Sequence, residues 1–250
     1  MKINIMTLFP SMFSPLHESM IGRAEEAGTL TFDIVDIREY TADKHRRVDE
    51  TPFGGGAGMV MQVQPILSCF REKGFGGRVI YMSPRGRQLD GALAEELSKE
   101  EELTVLCGHY EGVDERALTL LGAEEITIGD YVLTGGELPA MVLIDTVARF
   151  LPGVLAGEES VREESVYSGL LEYPQYTRPR EIEGLEVPEV LLGGDHGAVA
   201  RWRWEASMRL TKERRPEMFE AYHARAMARE LSLTRREREL VDRIYHEGEE

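Results

Sequence analysis

The chain has 250 residues, of which 42% are hydrophobic and 30% charged, a balance that supports a packed globular core and excludes an intrinsically disordered chain. No apolar run approaches the roughly 20 residues needed to cross a bilayer, so no membrane partner is expected. The formal net charge of -16 argues, taken alone, against nucleic acid as a partner.

Taken in order, "INIMTLF" reads as a first strand, and "MKINIMTLFPSMF" carries no signal-peptide cleavage pattern. "PSMFSPLHESMIGRAEEAG" has helical spacing and stops at Gly28, and "LTFDIVDI" alternates as a second strand. Arg38 to Val60 is polar and then glycine-rich, which predicts a long mobile loop. "QPILSCFREKG" predicts a short helix stopped by Gly74. "RVIYMS", "LTVLCG" and "EEITIG" predict strands, with helices over "LDGALAEELSKE" and "DERALTLL" between them. "GELPAMVLIDTVARFL" predicts an apolar helix. Strands alternating with helices, with apolar strand runs, indicate an α/β fold whose parallel sheet is buried on both faces.

Beyond Pro152 the composition turns polar, without a clear period, and the stretch reads as a linker. "DHGAVARWRWEASMRLTKERRPEMFEAY" and "TRRERELVDRIYHE" then predict helices. The expected organisation is a domain over 1–156, a flexible linker over 157–175 and a helical domain over 176–250. Cys69 and Cys107 are far apart in apolar contexts and read as buried free thiols, suited to a reducing cytoplasm. No C-x-x-C or H-E-x-x-H spacing occurs, so no metal site is expected.

In an open α/β sheet, ligands bind outside the carboxyl ends of the strands. Three glycine-bearing loops belong there: "YMSPRGRQ", "CGHYEGVDER" and "IGDYVLTGGELP". Neither a P-loop nor a complete dinucleotide fingerprint is present. Each loop alone also reads as an ordinary βα turn. Together they suit a ligand held by backbone groups and lacking a pyrophosphate, such as an adenosine with a short charged tail.

Five blocks carry a more specific signal: "VDETPFGGGAGMVMQVQP", "YMSPRGRQLD", "LCGHYEGVDERA", "IGDYVLTGGELPAMVLIDTVARFLPGVL" and "YTRPREIEGLEVPEVLLGGDHGAVARWRW". In this order they resemble the bacterial tRNA (guanine-37-N1)-methyltransferases of the SPOUT class, over nearly the whole chain. The resemblance implies a deep trefoil knot in the α/β domain and a small helical C-terminal domain. It implies S-adenosyl-L-methionine as methyl donor, with Mg2+ as a candidate additional ion. It further implies a cytoplasmic homodimer with an active site shared between chains, and the tRNA anticodon stem-loop as substrate.

Carried over residue by residue, the resemblance places the donor against Pro84, Gly108, Tyr110, Glu111, Ile128, Gly129, Asp130, Tyr131, Val132 and Leu133. Gly135, Gly136 and Pro139 close the pocket. Tyr110 and Tyr131 also fit as core aromatics. Guanine N1 carries a proton and charge develops toward O6 on methylation, so a base and a cationic donor are needed. The family's aspartate base aligns with Glu164, one methylene longer, with Glu163 as a rival carboxylate. Arg149 resembles the arginine that faces the target base, and also fits as a charge complementing a helix C-terminus. His109 stands where the family carries arginine, and reads as a surface residue or one behind the pocket wall.

Charges more than about 8 Å apart are largely screened at physiological salt, so a local basic face can act on an acidic chain. "DKHRR" offers His45 and Arg46 for RNA contact. In "RWRWEASMRLTKERR", Arg201, Arg203, Arg209, Lys212, Arg214 and Arg215 outnumber Glu205 and Glu213, and Arg201, Arg209, Arg214 and Arg215 are offered for RNA contact. Trp202 and Trp204 are two apart, so on a helix they point in different directions and at least one should be packing. Two alternatives are a SPOUT enzyme acting on another RNA and a non-catalytic RNA-binding protein of this fold.

Overall fold

The computed structural model describes residues 1–155 and 168–248. The chain divides into two compact units, Met1–Glu158 and Glu159–Glu250. In the first unit the elements run β1 (Lys2–Thr7), α1 (Ser19–Glu26), β2 (Thr31–Asp36), β3 (Asp49–Glu50), β4 (Val60–Met61) and α2 (Val63–Glu72). They continue with β5 (Arg78–Gln88), α3 (Gly91–Leu97), β6 (Glu102–Leu106), α4 (Glu115–Leu121), β7 (Glu124–Thr127) and α5 (Glu137–Ala148).

Five strands form one sheet in the order β2-β1-β6-β5-β7, and every neighbouring pair is parallel. Side chains alternate faces along each strand. Ile3, Ile5, Ile80, Met82, Leu103 and Val105 join a core with α1, α3 and α5. Met6, Tyr81 and Leu106 join a second core with α2 and α4. Burial on both faces explains why these strands read as apolar runs.

The first predicted helix is interrupted. A 3-10 turn covers Pro10–His17, and α1 restarts at Ser19, whose φ is 55°. Pro15 cannot donate a helical backbone bond, and it ends the smooth period seen in the sequence. The polar stretch after β2 is more regular than expected. It holds a 3-10 turn over Ile37–Tyr40 and the two-residue antiparallel ladder of β3 with β4. Strand β5 runs to Gln88 rather than ending near Ser83. Met82 and Arg87 both align with Ile126, so the residues between them leave the ladder and return. Gly86 lies in that excursion, where a Cβ would sit 2.2 Å from the Glu125 backbone carbonyl carbon.

The second unit carries a short hairpin, β8 (Glu181–Ile182) with β9 (Leu185–Glu186), and a 3-10 turn over Glu189–Leu192. Three helices follow: α6 (His196–Arg214), α7 (Pro216–Met227) and α8 (Arg235–His246). Pro216 is disfavoured in a helix interior but tolerated in a first turn, which fixes the break between α6 and α7. Thr234 and Glu237 form a reciprocal capping box at the start of α8. Leu170, Met208, Phe219, Tyr222, Ala226, Val241 and Ile244 make this unit's own core. Trp204 donates its indole N–H to the Tyr222 hydroxyl at 3.2 Å and packs against that core, while Trp202 lies 6.2 Å from the Tyr176 ring. Among the described residues, no helix is long and apolar enough to cross a membrane.

Candidate active site

Strands β6, β5 and β7 are adjacent, so the three loops leaving their carboxyl ends meet at one edge of the first unit. They enclose a cavity of about 420 Å³, within the usual range for a small-molecule site. Its walls are Tyr81–Arg85 from β5, Gly108–Val113 and Glu115 from the β6 exit, and Ile126–Ile128, Tyr131–Gly136 and Pro139 from the β7 exit and α5.

The glycines are there because neighbouring groups crowd them. A Cβ on Gly108 would lie 2.8 Å from the Tyr81 ring and hydroxyl. One on Gly136 would lie 2.8 Å from both the Cys107 Cα and the Gly108 nitrogen. Gly136 also donates its N–H to the Gly108 carbonyl at 2.8 Å, which fixes the first turn of α5 on the end of β6. Tyr110 has a φ of 59°, an uncommon conformation for a bulky residue that closes the β6 loop, with Gly112 donating to the His109 carbonyl at 3.1 Å.

Glu137, buried in the first turn of α5, accepts from the Thr7 hydroxyl at 2.8 Å and ties α5 to β1. Burial pushes the Cys107 thiol well above its ordinary value, with the Glu137 charge adding to the effect. Burial likewise raises the Tyr81 phenol. At the rim, Arg85 pairs with Glu115 at 3.2 Å and with Glu125 at 3.0 Å.

Eleven of the thirteen residues expected around a donor line this cavity: Pro84, Gly108, Tyr110, Glu111, Ile128, Tyr131, Val132, Leu133, Gly135, Gly136 and Pro139. Gly129 and Asp130 lie outside the lining. Gly129 shapes the turn instead, with φ 154°, its carbonyl accepting from the Thr127 hydroxyl at 2.9 Å. Asp130 points into solvent. Tyr110 and Tyr131 are not core aromatics but are about half exposed at the mouth.

His109 is neither on the surface nor behind the wall. It lines the cavity between the Phe9 and Tyr110 rings, each 5.0 Å away, and its buried Nδ1 has no hydrogen-bond partner among the described residues. Sequence reasoning also missed Tyr81, Ser83, Arg85, Thr127 and Thr134 as lining residues. Tyr81, Ser83, Arg85 and Thr134 fall within two of the glycine-bearing loops read from the sequence, and that was the available signal.

Arg149 is the half-buried residue that caps the C-terminus of α5, and it does not line the cavity. Glu164 and Glu163 fall outside the described residues. His45 and Arg46 are exposed in a turn held by Asp43, whose carboxylate accepts from the His45 N–H at 2.8 Å. Arg201 and Arg214 are exposed on α6. Two other members of the basic cluster have structural partners. Arg209 forks onto Glu247, and Arg215 pairs with Glu217 at 2.6 Å. Lys212 satisfies the final carbonyls of α8, at Ile244 and Tyr245, at 2.8 Å each.

A family model described as tRNA (Guanine-1)-methyltransferase TrmD matches residues 1–221. The chain is 54% identical over 223 residues to a tRNA (guanine-N(1)-)-methyltransferase of Clostridium perfringens (strain SM101 / Type A), covering 88% of this chain and 94% of that one. A protein of the same name from Moorella thermoacetica is 54% identical over 224 residues, covering 87% and 90%. Another from Alkaliphilus oremlandii is 53% identical over 232 residues, covering 89% and 93%.

Proposed function

The chain belongs to the tRNA (guanine-1)-methyltransferase family, and on that premise we propose that its cavity holds S-adenosylmethionine against guanine 37 of tRNA, the base 3′ of the anticodon. The reaction is methyl transfer to N1 of a tRNA guanine, and S-adenosylmethionine supplies the activated methyl group. The observation that carries the site assignment is the meeting of three glycine-bearing loops around one cavity, with Gly108 and Gly136 at crossings where a side chain would collide with its neighbours. Such loops let backbone N–H and C=O groups approach a nucleoside closely. The exposed Tyr110 and Tyr131 rings offer apolar faces beside them.

Glu164 takes the N1 proton, and the Arg149 guanidinium steadies charge that develops on O6. Glu111 and Glu115, which line the cavity, offer oxygen ligands of the kind a hydrated Mg2+ prefers. A deep trefoil knot gathers the loops. The close passage of Gly86 over β7 and of Gly136 over the end of β6 supports that reading.

The active molecule is a homodimer in which donor loops of one chain meet Glu164 and the C-terminal domain of the other. Supporting it, α5 leaves Leu138 and Val142, four residues apart on one helical face, exposed near 49% and 45%. Apolar groups clustered in this way are typical of a surface that a partner covers. The first unit then serves as donor-binding domain and the second, whose core includes Leu170, as tRNA-binding domain, in a cytoplasmic enzyme. His45, Arg46, Arg201 and Arg214 supply backbone contacts to the anticodon stem-loop. The test is transfer of labelled methyl groups to an unmodified tRNA transcript and to the same transcript with guanine 37 replaced by adenine. Label should enter the first and not the second, and equal labelling of both would overturn the positional assignment.

A further inference from the structure

We propose that His223, Asp242 and His246 form a binding site for one divalent transition metal of the zinc class, joining α7 to α8. Asp242 and His246 are four residues apart on α8 and therefore share a face. His223 reaches that face from α7. Its Nε2 lies 2.9 Å from Asp242 Oδ1, and His246 Nε2 lies 3.7 Å from the same oxygen. One ligand atom from each of the three residues falls within 4.8 Å of the other two.

Tetrahedral zinc holds nitrogen and oxygen ligands at about 2.0–2.2 Å, so enclosing one ion needs side-chain shifts of roughly 1 Å. The donor set decides the metal class. Two imidazoles and one carboxylate suit zinc, cobalt or nickel, whereas magnesium and calcium favour all-oxygen shells. Access is adequate, because the Asp242 and His246 side chains are about half exposed while His223 is held inside, at 16%. The Tyr245 ring stacks on His223 at 3.9 Å and fixes its plane. The nearby Lys212 ammonium is turned onto the carbonyls of Ile244 and Tyr245.

The family model's match ends at residue 221, before all three ligands. No metal motif in the sequence gives it away, since one ligand lies on a separate helix. A plain ion pair between the helices would look similar without a metal, and the two differ in what they bind.

The test uses the tag-free full-length protein titrated with Co2+, read by visible d–d absorption, with Zn2+ and Mg2+ as competitors. Saturable binding of one Co2+ per chain is expected, displaced by Zn2+ and not by Mg2+. Replacing the exposed ligands, as His246→Gln or Asp242→Asn, should weaken it on the order of tenfold or more, in variants whose helicity is checked by circular dichroism. Zn2+ should also raise the Tm of the wild type and not that of either variant. Unsaturable Co2+ uptake, or affinity unchanged in both variants, would overturn the proposal.

Discussion

Replacing Gly136 with alanine tests the crossing on which the cavity rests. Gly136 has φ -81° and ψ -6°, a conformation alanine adopts freely, so the perturbation is purely steric. The new Cβ would stand 2.8 Å from Cys107 Cα, 2.8 Å from the Gly108 nitrogen and 3.1 Å from the Cys107 carbonyl carbon. All three are backbone atoms of a buried strand end and cannot swing aside. Carbon contacts relax near 3.5–4.0 Å, so the first turn of α5 must retreat by roughly 1 Å. That displacement stretches the 2.8 Å bond from Gly136 N–H to the Gly108 carbonyl past useful length. Overpacking of this kind costs about 1–3 kcal/mol, and the lost bond about 0.5–1.5 kcal/mol. The expected destabilisation in urea unfolding is therefore about 2–4 kcal/mol, with a matching loss of S-adenosylmethionine affinity by calorimetry. Gly194→Ala is the control, because its Cβ would meet nothing within 4 Å. It should stay within about 0.5 kcal/mol of wild type. Wild-type stability and donor affinity in Gly136→Ala would refute both the rigid crossing and the pocket built on it.

Single-turnover methylation should fall about 10²–10⁴-fold in Glu164→Gln, with donor binding retained, and little in Glu163→Gln. The reverse pattern would assign the base to Glu163. Mixing inactive Arg149→Ala and Glu164→Ala chains should restore activity through heterodimers, and no recovery after verified subunit exchange would exclude a shared site. Burial pushes the Cys69 thiol from an ordinary 9.0 up to about 12, so the unfolded chain ionises first as pH rises. Its contribution to stability is intact below pH 9 and is lost from there toward about pH 12. Native Cys69 should accordingly resist iodoacetamide until urea unfolds the chain, and rapid labelling of the folded protein would contradict its burial.

The strands were legible because a parallel sheet buried on both faces writes continuous apolar runs, as in β1 and β6. Gly74 and Gly28 marked helix ends through backbone conformation, a local property visible in one residue. The details lost were those set by distant neighbours. The return of β5 after Ser83–Gly86 depends on room over β7, which no local pattern reports. His109 read as peripheral because a single histidine says nothing of the Phe9 and Tyr110 rings that enclose it. Charge counting marked the cationic residues of α6 alike, yet Arg209 and Lys212 are held by the end of α8 and its following residues. Gly129 followed the lining residues in sequence but serves the turn, since φ 154° points the chain rather than meeting the cavity.

The most direct measurement maps the modified base. An N1 methyl group blocks the Watson–Crick edge of guanine, so reverse transcription halts immediately 3′ of it. An unmodified tRNA transcript treated with this protein and S-adenosylmethionine should give a halt adjacent to guanine 37, dependent on both donor and protein. A halt at another guanine, or full-length extension despite incorporated label, would contradict N1 methylation at that position.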